Sequence, residues 1–297
     1  MKWIGYSNAK TVDEAVELLS QGDNKAKVLA GGTDLLVQLR VAPQRINNPD
    51  LIVDIKDIPE LNEVEFNSES GLTLGAAVPC YQVYQNPVIA QNYPGLIDSA
   101  SLIGGTQIQG RASIGGNLCN SAPSADAIPI LIALNAKCNI AGPDGMRQLA
   151  VEDFCTGPGS NSLKQGEILI SINFPPPNPK SGARYIRFIP RNEMDIAVVG
   201  AGISVTLENN EFKSVRVALA AVAPTPLFVT EVGEALSGKA VNDKNIELAG
   251  DIARNAAKPI SDMRGTIEYR KHLCSVLTKR ALTTAIERAN GGTVNGH

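Results

Sequence analysis

The chain has 297 residues, a formal net charge of −3, 43% hydrophobic and 19% charged residues, and 4% aromatic residues. That length points to about two domains, and that composition to a packed globular core rather than a disordered chain. A mildly acidic sequence poor in aromatic rings excludes the basic, stacking surfaces by which proteins hold nucleic acid.

In chain order, Thr11 to Ser20 is predicted as a helix, capped by Thr11 with Glu14 as its capping-box partner. Lys27 to Ala30 follows as a short buried strand, Gly31-Gly32-Thr33 as a turn, and Asp34 to Val41 as a second helix. Asp50 to Asp54 and Gly71 to Ala77 are predicted strands, with Pro59-Glu60-Leu61 a turn between them. Pro79 to Gln85 starts a helix that Tyr93-Pro94-Gly95 breaks, and Leu96 to Ile103 is helical again. Ala127 to Ala136 is predicted as a buried helix and Lys137 to Ala141 as a strand ending in the turn Gly142-Pro143-Asp144-Gly145. A helical turn at Val151 to Phe154, a loop at Gly157-Pro158-Gly159 and a strand at Glu167 to Phe174 complete this part.

Pro175-Pro176-Pro177-Asn178-Pro179 is a stiff linker that cannot enter a sheet interior, and a domain boundary is expected there. Beyond it come strands at Ala183 to Ile189, Ala197 to Leu207 and Val215 to Ala223, the last two joined by the turn Asn209-Asn210. Helices at Glu231 to Leu236, Asn245 to Ala257 and Tyr269 to Arg288 follow. Strands followed by helices read as an α+β unit. The tail from Gly291 to His297 is expected to be flexible.

Two glycine-rich stretches carry the chemistry. Ser99 to Asp126 holds Gly104-Gly105, Gly110 and Gly115-Gly116 among small and hydroxyl side chains. Such backbone exposes N–H groups that can converge on a phosphate, and it can equally be a plain glycine-rich loop. The strand, Gly31-Gly32-Thr33 turn and helix likewise aim a helix N-terminus at whatever lies above the strand end. Thr33 or Asp34 capping that helix is the purely structural reading.

Other chemistry is missing. The two histidines are His272, inside a helix, and His297, in the tail, so neither a Ser-His-Asp set nor a histidine metal site can be built. Gly105 to Ala112 has Walker-A glycine spacing, but Arg111 and Ala112 replace the Lys and hydroxyl, and no G-x-G-x-x-G follows a strand. Cys80, Cys119, Cys138, Cys155 and Cys274 are dispersed without a C-x-x-C pair. They read as reduced thiols of a cytoplasmic protein, with no metal held by this chain. No secretory h-region and no apolar run of roughly 20 residues is present, so no membrane span is expected. Phosphate cradles without acid–base machinery indicate a cofactor holder.

Ala30-Gly31-Gly32-Thr33-Asp34-Leu35 resembles the first flavin loop of the FAD-binding (medium) subunits of the molybdenum hydroxylase family, and Ala112-Ser113-Ile114-Gly115-Gly116-Asn117 resembles the second. The family includes the carbon monoxide dehydrogenase medium subunit, the 4-hydroxybenzoyl-CoA reductase flavin subunit and the xanthine dehydrogenase FAD domain. The likeness extends to Glu167-Ile168-Leu169, Asp195-Ile196-Ala197 and Arg264-Gly265-Thr266-Ile267-Glu268-Tyr269-Arg270.

The resemblance implies an α+β fold. Two N-terminal α/β subdomains of the PCMH/vanillyl-alcohol-oxidase-like type would be joined to a small C-terminal antiparallel sheet with helices. The implied boundaries are 1–176 (subdomains about 1–58 and 59–176), 180–290 and a tail at 291–297. It implies FAD held by Leu29, Ala30, Gly31, Gly32, Thr33, Asp34, Leu35 and Leu36, and by Ser113, Ile114, Gly115, Gly116 and Asn117. Asp126 would contact the ribose or adenosine end, Ile103 and Leu169 would pack on the cofactor, and Arg187 matches a position that is often Lys. Ile196 stands where carbon monoxide dehydrogenase-like members have a Tyr beside the flavin ring.

No residue is implied to be catalytic. No cluster-carrying insertion interrupts Gly116 to Cys138, which makes Cys119, Cys138 and Cys155 buried thiols. The implied partners are a small [2Fe–2S] chain and a large molybdopterin chain, as a dimer of heterotrimers. Electrons would pass from the [2Fe–2S] chain through FAD to an external acceptor. A stand-alone FAD-dependent oxidase or dehydrogenase of the vanillyl-alcohol-oxidase-like group is the alternative.

Overall fold

A computed structural model describes residues 3–21, 25–191 and 193–292; the predicted tail beyond residue 292, with His297, lies outside them. The chain opens with β1 (Gly5–Asn8), α1 (Val12–Ser20), β2 (Ala26–Leu29), α2 (Leu35–Val41) and β3 (Leu51–Asp54). The three strands form one parallel sheet in the order β1-β3-β2. Thr11 caps α1 by accepting a hydrogen bond from the Glu14 amide at 3.2 Å. The Glu14 carboxylate reaches back to the Lys10 amide rather than to Thr11. β1 escapes sequence pattern because Gly5-Tyr6-Ser7-Asn8 has no hydrophobic alternation.

The second region carries β4 (Val64–Asn67), β5 (Gly71–Gly75), α3 (Cys80–Gln85), α4 (Pro87–Asn92), α5 (Pro94–Ala100), α6 (Thr106–Gln109), α7 (Ile114–Asn120) and α8 (Ala127–Ala133). After these come β6 (Lys137–Gly142), β7 (Gly145–Ala150), the small ribbon β8 (Cys155–Gly157) with β9 (Ser160–Asn161), and β10 (Ile168–Phe174). Its main sheet is antiparallel in the order β4-β5-β10-β6-β7. The break expected at Tyr93-Pro94-Gly95 falls at Tyr93, between α4 and α5, and Pro94 opens α5, where its missing N–H falls among donors that have no intrahelical partner. α8 ends three residues short of its predicted limit, at a turn that puts Asn135 at φ 56°.

After the proline run, β11 (Ser181–Phe188), β12 (Val199–Glu208), β13 (Glu211–Ala220) and β14 (Leu227–Phe228) form an antiparallel sheet in sequence order. α9 (Thr230–Leu236), α10 (Asp243–Ala256) and α11 (Ile267–Ala289) complete it. Val199, Ile203, Val205, Val217 and Leu219 of this sheet pack on Leu273, Leu277, Ala281 and Ala285 of α11 in one buried cluster. A second buried cluster joins Ile114, Ile128, Ile130 and Ile172 to Ala183 and Tyr185 of β11. The odd-numbered side chains of β11 therefore belong to the N-terminal core, while Ile186 and Phe188 pack into the C-terminal one, as strand alternation requires. Among the described residues no helix is long and apolar enough to cross a membrane.

Candidate functional site

The two glycine pairs meet. At the end of β2 the chain turns through Gly31 and Gly32, the latter at φ 79°, into α2. A Cβ on Gly31 would stand 1.9 Å from the Arg111 carbonyl oxygen, so only glycine allows this turn to lie against the second one. The Arg111 Nε–H donates to the Gly31 carbonyl at 3.3 Å, and the Gln38 amide donates to the Asn120 Oδ1 at 3.2 Å. Asp34 sits at the N-cap of α2, but no side chain caps that helix. The expectation that Thr33 or Asp34 would bond the helix end is thus corrected.

Gly115 and Gly116 lie in the first turn of α7, not in a loop. Ser113 is the N-cap, and its hydroxyl accepts the Gly116 amide at 3.0 Å. A Cβ on Gly115 would come within 2.4 Å of the Ala76 carbonyl oxygen, so the helix start is pressed against the end of β5. Asn117 Oδ1 accepts the Ala127 amide at 3.0 Å and so ties α7 to the start of α8. Glycine composition marks a loop in sequence; here the Ser113 cap and the buried Ile114 and Leu118 override that propensity.

Both turns line one cavity of about 730 Å³, within the ordinary range for a small-molecule site. All the residues expected at the site line it except Leu29, Leu36 and Ile114. Ile114 is fully buried in the N-terminal core and Leu36 is exposed on α2. Ile103 and Leu169 supply apolar walls, and both are nearly fully buried. Arg187, Met194, Asp195, Ile196 and Ala197 close the cavity from the C-terminal region. Sequence reading missed Lys27, Gln38, Asn120, Asn161, Lys164 and Met194 in the lining, since no local motif marks them, and gave Asp195 no role although it stands in the Asp195-Ile196-Ala197 motif.

Charge is arranged round the cavity by burial and pairing. Asp126 accepts a hydrogen bond from the Tyr185 hydroxyl at 2.7 Å on one oxygen and from the Arg187 guanidinium at 2.5 Å on the other. Burial pushes its carboxyl up to about 6, against the pull of Arg187 and Tyr185. Burial raises Asp34 and lowers Lys27 from their ordinary values. Glu167 is held below the usual carboxylate range by its two-pronged bond to Arg147, with both contacts at 2.7 Å.

Cys138 is buried as expected, but Cys119 and Cys155 are only half-buried, and Cys119 lines the cavity. Desolvation pushes the Cys119 thiol up to about 12, which keeps it protonated and unreactive at neutral pH. Among the described residues no cluster of His, Cys, Asp or Glu is arranged to hold a metal ion.

The residues present fit a dinucleotide. Two glycine turns, packed too closely on neighbouring backbone to carry a Cβ, line the cavity, and among the described residues the buried Arg187 Nε has no hydrogen-bond partner. The sequence matches the family described as FAD binding domain in molybdopterin dehydrogenase over residues 2–177. Residues 184–285 match the CO dehydrogenase flavoprotein C-terminal domain. The chain belongs to the FAD-binding medium subunits of the molybdenum hydroxylases.

Relatives of this family run the full length of the chain. It is 33% identical to the putative xanthine dehydrogenase FAD-binding subunit of Escherichia coli strain K12, over 97% of this chain and 98% of that one. It is 31% identical to the carbon monoxide dehydrogenase medium chain of Hydrogenophaga pseudoflava, over 95% and 97% of the two chains. A solved carbon monoxide dehydrogenase structure from that organism superposes with a TM-score of 0.91 at 30% identity, covering 97% of this chain and 98% of that one. The medium-subunit fold and the FAD cofactor follow from this membership. A stand-alone oxidase is the weaker reading, because these relatives are named as subunits or chains of dehydrogenases.

Proposed function

We propose that the cavity between the two glycine turns is where this subunit holds FAD, and that the chain relays electrons within a heteromeric molybdenum-dependent dehydrogenase. The observation that carries this reading is the convergence of Gly31-Gly32 and Gly115-Gly116, some 80 positions apart in sequence, on one cavity. The backbone of Ala30 to Leu35, and of Ser113 with Gly115 to Asn117, would bind the pyrophosphate. Ile103, Leu169 and Ile196 would bound the ring, while Asp126 and Arg187 would provide the polar end. Bound FAD supplies the capacity to collect single electrons and release them as a pair. The chain itself contributes position, shielding from water and a fixed field.

The partners in this reading are a small chain with two [2Fe–2S] clusters, which delivers electrons, and a large molybdopterin chain, which binds substrate. The assembly is a dimer of heterotrimers in the cytoplasm, and an external acceptor receives the electron pair. The functional units are residues 1–176, divided near residue 58, and 180–290. The purified chain should show the two visible absorption bands of a flavin; a colourless chain that cannot be reconstituted with FAD sinks the reading. Replacing Gly115 and Gly116 with Val should abolish FAD retention in a chain that still folds.

A further inference from the structure

One cluster in the cavity wall has more structure than cofactor contact requires. Asp126 stands just before α8 in the N-terminal region, while Tyr185 and Arg187 are two residues apart on β11 and share a face. Both Asp126 oxygens are engaged across this seam, by the Tyr185 hydroxyl and by one Arg187 terminal nitrogen. The Arg187 side chain is 5% exposed, and its buried Nε–H has no acceptor among the described residues. Arg270 also has a buried, unpartnered Nε, but it stands outside the cavity lining, whereas Arg187 lines it. A buried donor left unpaired is costly, and an acceptor brought by a ligand removes that cost.

We propose that Tyr185 is a positioning residue that holds Asp126 as the counter-charge of Arg187, and that a proton on Asp126 frees the Arg187 guanidinium to bind an anionic group of the dinucleotide more tightly. This rests on the reading of the cavity as the FAD site. Asp126 already lies near the range where such a proton is taken up, with a carboxyl raised to about 6 by burial.

The groups packed around Asp126 are engaged elsewhere, while across the cavity the Asp34 carboxyl is also raised by burial. Ser99 of α5 donates to the Asp126 backbone carbonyl, and Asn117 of α7 accepts the Ala127 amide. Asp98 of α5 is bound by Arg184 and Arg288. Arg216 of β13 pairs with Glu152 and bonds the Ile132 carbonyl at the far end of α8. Ser204 of β12 bonds the Ala133 carbonyl, also at that end. An anion near Arg187 raises the proton affinity of Asp126, so binding takes up a proton and affinity rises as pH falls.

The test titrates FAD into the full-length apo chain from pH 8 to pH 5, following the quenching of flavin fluorescence. For a rise of one pKa unit on binding, the Kd should tighten about tenfold across this range. Tyr185→Phe removes a donor that favours the carboxylate, so the same tightening should appear at higher pH. Asp126→Asn should lose most of the pH dependence and keep only what Asp34, also raised by burial and in the same cavity wall, contributes, and Arg187→Gln should bind weakly at every pH. A flat wild-type profile, a Tyr185→Phe curve superposing on the wild type, or a slope in Asp126→Asn as steep as the wild type overturns the proposal while FAD binding stands. A wild-type chain that binds no FAD at any pH overturns the flavin reading itself.

Discussion

Gly31→Ala tests the double-turn geometry most directly. The added Cβ would lie 1.9 Å from the Arg111 carbonyl oxygen and 2.5 Å from its carbon. Non-bonded heavy atoms settle at roughly 3.5–4 Å, so the two turns must part by about 1.5 Å. A backbone N–H that bonds a phosphate oxygen at roughly 2.9 Å no longer does so after that displacement. Hydrogen bonds to charged groups contribute about 1.5–3 kcal/mol each, so losing two weakens FAD binding by about 3–6 kcal/mol. That is roughly 10²- to 10⁴-fold in Kd. Overpacking costs the fold about 1–3 kcal/mol, partly offset by about 0.4–1 kcal/mol from stiffening the unfolded chain. The variant should therefore fold and be nearly free of flavin. The assay is the flavin-to-protein ratio after purification, an FAD titration, and urea unfolding of the same sample. Gly110→Ala is the matched control: a Cβ there meets nothing within 4 Å and φ is −69°, so flavin content should be unchanged. A folded Gly31→Ala chain with wild-type affinity for FAD would refute the idea that the close approach of the two turns builds the site.

Asp98 accepts from Arg184 at 2.8 Å and from Arg288 at 2.6 Å, and all three side chains are largely buried. Asp98→Asn leaves two buried cations short of a counter-charge and should cost about 3–5 kcal/mol in urea unfolding; a loss below about 1 kcal/mol would contradict this. For Asp126, the folded pKa lies above the ordinary carboxylate value, so between pH about 6 and about 4 the folded chain binds more protons than the unfolded one. Its contribution to stability therefore rises as pH falls through that window. Asp34 acts in the same direction, whereas Glu167 and Asp54, held low, lose stabilisation only as the solution becomes more acidic. The Tm gained by the apo chain between pH 7 and pH 5 should accordingly shrink in Asp126→Asn, and an equal gain in both chains would be the wrong outcome. Ile196 is 49% exposed at the cavity, so Ile196→Tyr should change stability by no more than about 0.5 kcal/mol and leave flavin content intact, as thermal unfolding and absorbance would show.

The main elements were legible where periodicity and punctuation agree. α1 announces itself through the Thr11 cap and its apolar face, β10 through an unbroken apolar run, and the passage to β11 through four prolines. What sequence pattern hid was set by neighbours. β4 and β7 are edge strands whose outward positions alternate too weakly to register, and they exist because β5 and β6 offer them a ladder. α7 contradicts its glycine content because Ser113 caps it and Ile114 and Leu118 bury beneath it. At the site, residues within the two motifs were readable. Lys27, Lys164 and Met194 were not, because they reach the cavity only through the fold of distant segments. Tyr185 had a faint signal: it shares a strand face with Arg187 at a spacing of two, but nothing local says that Asp126 will meet them.

β11 carries two arginines, each paired with an aspartate of the N-terminal region, and hydrogen-bond accounting separates their roles. Around Asp98 the capacity is filled: two guanidiniums and the Tyr185 amide converge on its two oxygens. Nothing there awaits a ligand, and the cluster fastens α5, β11 and the end of α11 together. Around Asp126 the accounting does not close, because Arg187, which lines the cavity, retains a buried donor with no acceptor among the described residues. A purely structural pair would gain by satisfying or losing that donor, since an unpaired buried N–H works against folding. Its retention beside the two glycine turns is expected where the missing acceptor arrives with a bound anion. The same seam is thus closed at one end by a saturated clamp, while at the other it keeps a donor that the proposed binding of the cofactor would satisfy.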